Sequence, residues 1–250
     1  MRAPVDTIAA PPFPAKLPWI NVAPLRMDKQ IGRPVLIEFW DFCRPNSLRT
    51  LPYVKAWHER YEADGLRVIS VHAAGFPPSQ DEQAVRDAVA RLGIEHPVVL
   101  DPNLEIWTWF DNRGWPSRYL FDQRGKLFEY HHGEGDYRGT ELAIQELLGV
   151  ERDPLPYVRP EDDPDALVVV PTADVEGTFN GPYEAGAVWA VLSGTGTVRA
   201  AGREIVVDHP GAYELVRHRG HTAAVLDLVV GEDVTCHATC FEPGLAADQP

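Results

Sequence analysis

Residues 34–65 constrain this chain more than any other stretch. Val35-Leu36-Ile37-Glu38-Phe39 is a continuous apolar run broken only by one carboxylate. Such a run is expected of a strand buried on both faces in a parallel sheet. Pro45 suits the first turn of a following helix, where its missing N–H costs nothing. Leu48–Ala63 then reads as that helix, with Leu51, Val54, Trp57, His58 and Tyr61 at helical spacing and a stop at Gly65. The alternation continues with a strand at Leu66–Val71 and a helix at Gln80–Leu92, entered through Pro77-Pro78-Ser79 and closed by Gly93. A short strand at Pro97–Leu100 follows. Ser117–Asp122 and Lys126–His131 form an antiparallel hairpin around Gln123-Arg124-Gly125, and Thr140–Leu148 is a last helix ending at Gly149. Residues 1–150 are therefore expected to form one α/β domain. Its proline-rich lead-in, 1–33, is irregular, with Trp19-Ile20-Asn21-Val22 pairing at a sheet edge.

Beyond residue 150 the pattern changes. Residues 151–166 hold four prolines and six acids, a composition that cannot pack a core and reads as an extended linker. Short apolar runs at 167–170, 187–192, 197–200, 204–207, 212–217, 222–230 and 234–241 are separated by Gly, Pro and Asp turns. That spacing predicts an all-β sandwich or jelly roll over 167–245, with a tail at 246–250.

Composition excludes several roles. A net charge of −14 over 250 residues argues against nucleic-acid or anionic-membrane partners, which need a basic face. No run approaches the ~18 apolar residues of a membrane span. Met1-Arg2-Ala3-Pro4-Val5-Asp6 lacks an apolar signal core, so a cytoplasmic location is expected. The three cysteines make no disulfide framework. Cys236 and Cys240 fall on one predicted strand, roughly 13 Å apart at the usual strand rise. A disulfide needs Cα atoms within about 7 Å.

The run from Trp40 to Trp57, with Gly65-Leu66-Arg67-Val68-Ile69-Ser70-Val71-His72, resembles the extracytoplasmic thioredoxin-like domain of DipZ proteins. That domain is related to TlpA and to the thioredoxin domain of NHL-repeat proteins. Leu100-Asp101-Pro102-Asn103, Trp107, Trp115-Pro116, Tyr119-Leu120-Phe121-Asp122, Gly125 and Gly133-Glu134-Gly135-Asp136-Tyr137 keep the same order and spacing. Val188–Val198 resembles the start of the β-sandwich that follows in DipZ. The resemblance implies an α/β thioredoxin-like fold followed by a jelly-roll-like sandwich. It transfers fold more securely than activity.

In that superfamily the apolar strand ends in Phe-Trp, and the first cysteine of a C-x-x-C comes four residues after the Trp. Here those slots hold Arg44 and Ser47, and the nearby thiol, Cys43, comes one residue early. A serine cannot resolve a mixed disulfide, so dithiol exchange at this motif is chemically closed. The resemblance places Glu38 as the buried acid beneath the motif. Its retention fits either residual proton chemistry or a structural carboxylate bonded to Ser47 or Thr50. Trp115-Pro116 resembles the cis-proline turn that holds extended peptides by backbone hydrogen bonds, with Trp40 and Trp115 beside it.

Three functional classes stay open. The first is a groove beside Pro116 and Arg44 that binds a protein, peptide or small-molecule ligand without exchanging disulfides. The second is a single-thiol oxidoreductase or peroxidase using Cys43, its pKa lowered by Arg44 and the helix start, with His72 or Glu38 handling protons. His72 is placed at the strand edge where ligands of open α/β sheets collect. The third is a glycan binder using Trp189, Tyr183 and Tyr213 of the sandwich, although Trp189 sits in a core-like run. No cofactor is implied. His131-His132, His218 with His221, and His237 lack partners at structural-zinc spacing, so no metal is expected.

Overall fold

The structure is a computed structural model that describes residues 1–3 and 7–246; Pro4–Asp6 and the end of the tail, 247–250, lie outside it. The chain divides into two compact units. One comprises Met1–Asp41, Asn46–Gly75 and Val85–Pro156, the other Phe42–Pro45, Phe76–Ala84 and the chain from Tyr157 onward.

The first unit is built on a mixed sheet. Its elements are β1 (Trp19–Ile20), β2 (Val35–Trp40), α1 (Pro45–Tyr61), β3 (Arg67–His72), α2 (Glu82–Arg91), β4 (Val98–Leu100), α3 (Glu105–Trp109), β5 (Ser117–Phe121), β6 (Leu127–His132) and α4 (Tyr137–Leu148). The strand order is β1-β4-β3-β2-β5-β6, so β2 is interior, parallel to β3 and antiparallel to β5. Every residue of β2 is buried. Its alternate side chains serve two cores, because successive Cβ atoms point to opposite faces. Val35, Ile37 and Phe39 meet Ile106, Phe110 and Tyr119 on one face. Leu36 meets Val54, Trp57 and Tyr61 of α1 and Ile144 of α4 on the other. Glu38 shares the face of Leu36.

The observed elements follow local chemistry. Pro45 opens α1, as expected, three residues before the predicted start. α4 ends on Gly149, whose φ of +65° suits a residue without Cβ. The lead-in contributes β1, paired antiparallel with β4 at the sheet edge. α2 is shorter than predicted, because Pro77–Gln80 forms a separate 3-10 turn. α3 was not expected from the sequence. It forms because the Asp101 carboxylate accepts from Glu105 N and Trp107 N, both at 2.8 Å. That takes up two of the unpaired donors at its start.

The second unit carries β7 (Val168–Val169), β8 (Val175–Glu176), β9 (Gly181–Gly194), β10 (Gly196–Ala200), β11 (Arg203–Val207), β12 (Gly211–Leu226), β13 (Leu228–Val230), β14 (Val234–Glu242) and β15 (Gly244–Leu245). These form antiparallel sheets ordered β12-β9-β14-β8, β11-β10-β13 and β15-β7. Their shared core includes Tyr183, Val188, Leu192, Val198, Leu215 and Phe241. The runs predicted as separate strands at 212–217 and 222–230 are largely one strand, β12. Its pairing with β9 shifts register between Arg217 and Thr222, so the polar residues there form an irregularity rather than a turn. Gly186 is required by close approach: a Cβ would lie 2.5 Å from Gly244 Cα.

The segment that reads as an extended linker is held at its beginning. Glu141, buried on α4, accepts from Leu155 N at 2.8 Å and from the Tyr61 hydroxyl at 2.7 Å. Gln145 Oε1 accepts from Arg152 N at 2.9 Å, and Leu155 packs on the α1/α4 core. Composition argued correctly that 151–156 forms no regular structure. It could not show that side chains on α4 supply the missing partners. Glu141→Ala is expected to cost about 2 kcal/mol, the typical penalty for orphaning buried donors, and to expose 151–156 to protease. Urea unfolding and limited proteolysis check this; unchanged cleavage would mean that the segment is held by other contacts.

Candidate functional site

The end of β2 sets the geometry of the candidate site within the first unit. Trp40 is fully buried, with the His72 ring edge-on at 5.2 Å. Asp41, the next residue, is also fully buried. Its Oδ2 accepts from Gly75 N at 2.7 Å, and its Oδ1 lies 3.8 Å from His72 Nε2. Asp41 N donates to Ser47 Oγ at 3.3 Å, joining the strand end to the first turn of α1. Ser47 N in turn donates to Asn46 Oδ1 at 2.9 Å.

Asn46 connects this turn to the loop before β5. Its Nδ2 donates to the Trp115 carbonyl at 2.7 Å. The Trp115–Pro116 peptide is cis, and Pro116 O accepts from Gly133 N at 2.8 Å. Trp115 Nε1 donates to Ala73 O at 2.8 Å, which fixes the indole. The Trp107 ring lies 4.2 Å from it, tilted by 39°. A half-buried pair of indoles thus lies beside Pro116, one of them on the residue whose carbonyl Asn46 bonds.

Phe42–Pro45 belongs to the second unit. Cys43 is fully buried there, and the half-buried Arg44 carries its guanidinium 4.9 Å over the Phe76 ring. A thiolate nucleophile needs exposure as well as a low pKa. Cys43, at 0% exposed, lacks the first in this structure.

Glu38 is fully buried, but its partner is neither Ser47 nor Thr50. Ser47 is engaged at Asp41, and the Thr50 hydroxyl lies 3.0 Å from Tyr137 OH. Strand register decides the matter, since Glu38 lies directly opposite Ser70 in β3 and Arg118 in β5. Ser70 Oγ donates to Glu38 Oε2 at 2.7 Å, and Oε1 has no hydrogen-bond partner among the described residues. Burial pushes Glu38 up to about 7, against the Ser70 bond and the Arg118 charge. Arg118 is itself fully buried, and burial lowers its pKa. It donates to Gly135 O at 2.6 Å and lies over the Tyr137 ring at 5.1 Å. His72 differs from its expected place at an open edge. It is 3% exposed, enclosed by Trp40 and Asp41.

The remaining candidates do not converge. Tyr183 is in the sandwich core. Tyr213 pairs with Ala190 and Glu214 with Trp189, so consecutive register positions put Tyr213 and Trp189 on opposite faces. No aromatic platform forms from the three. His218 Nε2 meets Tyr183 OH at 2.9 Å, His221 Nε2 meets Glu184 at 3.4 Å, and His237 Nε2 meets Ser193 Oγ at 2.8 Å. Cys236 and Cys240 are free thiols on β14, and burial raises the pKa of both. Among the described residues no helix is long and apolar enough to cross a membrane.

Asp41, Asn46, Ser70, His96 and Trp107 were not singled out from sequence as site residues. Asp41 follows the strand-ending Trp directly, and that position was a usable signal. The others act across strand register or over long separations.

No family model matches the chain. Among curated proteins it is similar to DipZ of Mycobacterium tuberculosis, 37% identical over 133 residues, covering 52% of this chain and 19% of that protein. It is also similar to the thiol-disulfide oxidoreductase YkuV of Bacillus subtilis, 26% identical over 52% of this chain and 87% of that one. The matched part spans about a fifth of the length of DipZ. Among solved structures, a putative thiol:disulfide interchange protein DsbE from Chlorobium tepidum superposes with a TM-score of 0.51 at 23% identity, covering 57% of this chain and 96% of that one.

Glu38 and a second buried group, His96, give stability opposite pH dependences. Glu38 rises from its ordinary 4.5 to about 7, so its contribution is full below 4.5 and is lost as pH rises through 7. Burial, with His58 and Lys55 beside it, lowers His96 from 6.5 to about 3. Its contribution is full above 6.5 and is lost as pH falls through 3. Between these ordinary values the two slopes oppose. Glu38→Gln removes one of them. Relative to wild type, the variant should lose on the order of 3 kcal/mol on going from neutral pH to the ordinary carboxylate range. Urea unfolding across pH checks this; superimposable profiles would mean that Glu38 is ionised and unperturbed.

Proposed function

With a thioredoxin-like redoxin fold and DipZ among its homologues, this chain is one in which we propose that ligand binding has replaced dithiol exchange. The observation that carries this reading is Ser47. It holds the second motif slot, is fully buried, and has its hydroxyl within hydrogen-bonding distance of Asp41 N. A hydroxyl there can neither attack a mixed disulfide nor leave as a thiolate. The first slot, Arg44, stacks on Phe76 and offers a fixed cation instead of a nucleophile.

The binding element is the groove beside Pro116. Trp107 and Trp115 supply flat apolar surface, and Asn46 fixes the loop that carries Pro116. Such a groove suits an extended peptide or a small ligand of similar shape. Reduction of insulin by dithiothreitol should proceed no faster with this protein than with buffer. Catalysis that survives Cys43→Ser would overturn the reading. A library of extended peptides should yield binders whose affinity falls about tenfold on Trp115→Ala, the loss expected for one aromatic contact. Equal retention of the library by wild type and variant would place the ligand elsewhere.

The Arg44→Cys, Ser47→Cys double variant tests the register of the motif. It should form a reversible disulfide, since Arg44 immediately precedes α1 and Ser47 lies in its first turn. A folded double variant with two permanently free thiols would show that the motif is misaligned.

A further inference from the structure

Glu38 is connected by hydrogen bonds to a cavity remote from the motif residues. Ser70 Oγ lies 2.7 Å from Glu38 Oε2 and 2.7 Å from His96 Nε2. His96 is fully buried just before β4, and its other ring nitrogen, Nδ1, has no hydrogen-bond partner among the described residues. His96 lines a cavity of about 410 Å³ together with Lys55, His58, Glu59 and Glu62 of α1 and with Gly93 and Glu95. The His58 ring is 5.6 Å from that of His96, and its side chain is 14% exposed.

The single proton of the Ser70 hydroxyl fixes the direction of every bond in this chain. With Glu38 ionised, Ser70 donates to Glu38, so His96 must donate from Nε2 and Nδ1 carries a lone pair. With Glu38 protonated and donating to Ser70, the hydroxyl turns to His96. Nε2 becomes the acceptor, and the ring proton sits on Nδ1.

We propose that Glu38, Ser70 and His96 form a proton relay that loads and unloads the buried carboxyl from the cavity beside α1. On loading, a proton delivered from the cavity side, on which the His58 ring lies 5.6 Å from that of His96, binds His96 Nδ1. The Nε2 proton passes to Ser70 Oγ, and the former Ser70 proton passes to Glu38 Oε2. Unloading reverses each transfer. One proton is gained in total, the charge changes only at Glu38, and the ring is neutral at both ends.

The surrounding charges favour this route. Arg118 faces Glu38 from β5. Burial, helped by His58 and Lys55 of α1, holds the pKa of His96 down at about 3. The imidazole therefore stays neutral where Glu38 titrates. Glu59, Glu62 and Glu95 line the cavity and attract protons to its mouth. The relay holds whatever ligand occupies the groove beside Pro116, so it stands apart from the binding function.

The test is NMR of the full-length protein, following ¹³C of the Glu38 carboxyl and ¹⁵N of the His96 ring across neutral pH. As pH falls through the Glu38 midpoint, His96 should change from the Nε2–H to the Nδ1–H tautomer while remaining neutral. In Ser70→Ala, His96 should keep one tautomer throughout. A wild-type His96 that keeps one tautomer through the Glu38 midpoint, or becomes cationic there, overturns the relay. So does a Ser70→Ala protein in which His96 still follows Glu38. In His96→Phe the Glu38 signal should split into two slowly exchanging lines near its midpoint; one averaged line as sharp as wild type would show another route and contradict the proposal.

Discussion

The interior position of β2 is the constraint on which the first unit depends. A strand paired on both edges and covered on both faces leaves its side chains no access to water. Apolar residues accept that at no cost, but Glu38 does not. Its carboxylate must be neutralised or bonded within reach of its own register, and the residues in reach are Ser70 and Arg118. The raised pKa of Glu38, the lowered pKa of Arg118 and the bond from Ser70 are consequences of that one placement. The same strand delivers Asp41 at its end, where one carboxylate accepts from Gly75 N while the backbone reaches Ser47. Core packing and site geometry are therefore two outcomes of one strand.

Much of this arrangement was legible in the sequence where the physical signal is local. β2, α1, the β5/β6 hairpin and α4 announce themselves by periodicity, Pro and Gly. Even the pairing of Trp19 at a sheet edge could be anticipated. α3 could not, because a helix of five residues has too few turns to show a period and depends on the Asp101 side chain. β12 looked like two strands because Arg217-His218-Arg219-Gly220 has the composition of a turn. Long antiparallel pairing with β9 on either side overrides that local preference.

The site was legible in part for the same reason. The assignment of Arg44 and Ser47 to the motif slots rests on the family resemblance along one segment. The partners of Glu38 and Asn46 are set by strand pairing and by contacts 69 residues apart, which no local pattern encodes. His72 shows the reverse error. Its position at a strand end suggested an open edge, yet Trp40 and Asp41 enclose it. Buried polar residues of an α/β sheet are best assigned from lateral register, and Ser70 opposite Glu38 is the instructive pair here.

The proposed replacement of exchange chemistry by binding is most directly tested by a redox titration of the native protein in glutathione buffers, with thiols counted after denaturing alkylation. All three cysteines are free in this structure. The expected result is three alkylatable thiols at every poise once glutathione adducts are removed, with no reversible two-electron step. A reversible intramolecular disulfide with a defined midpoint, abolished by Cys43→Ser, would contradict it.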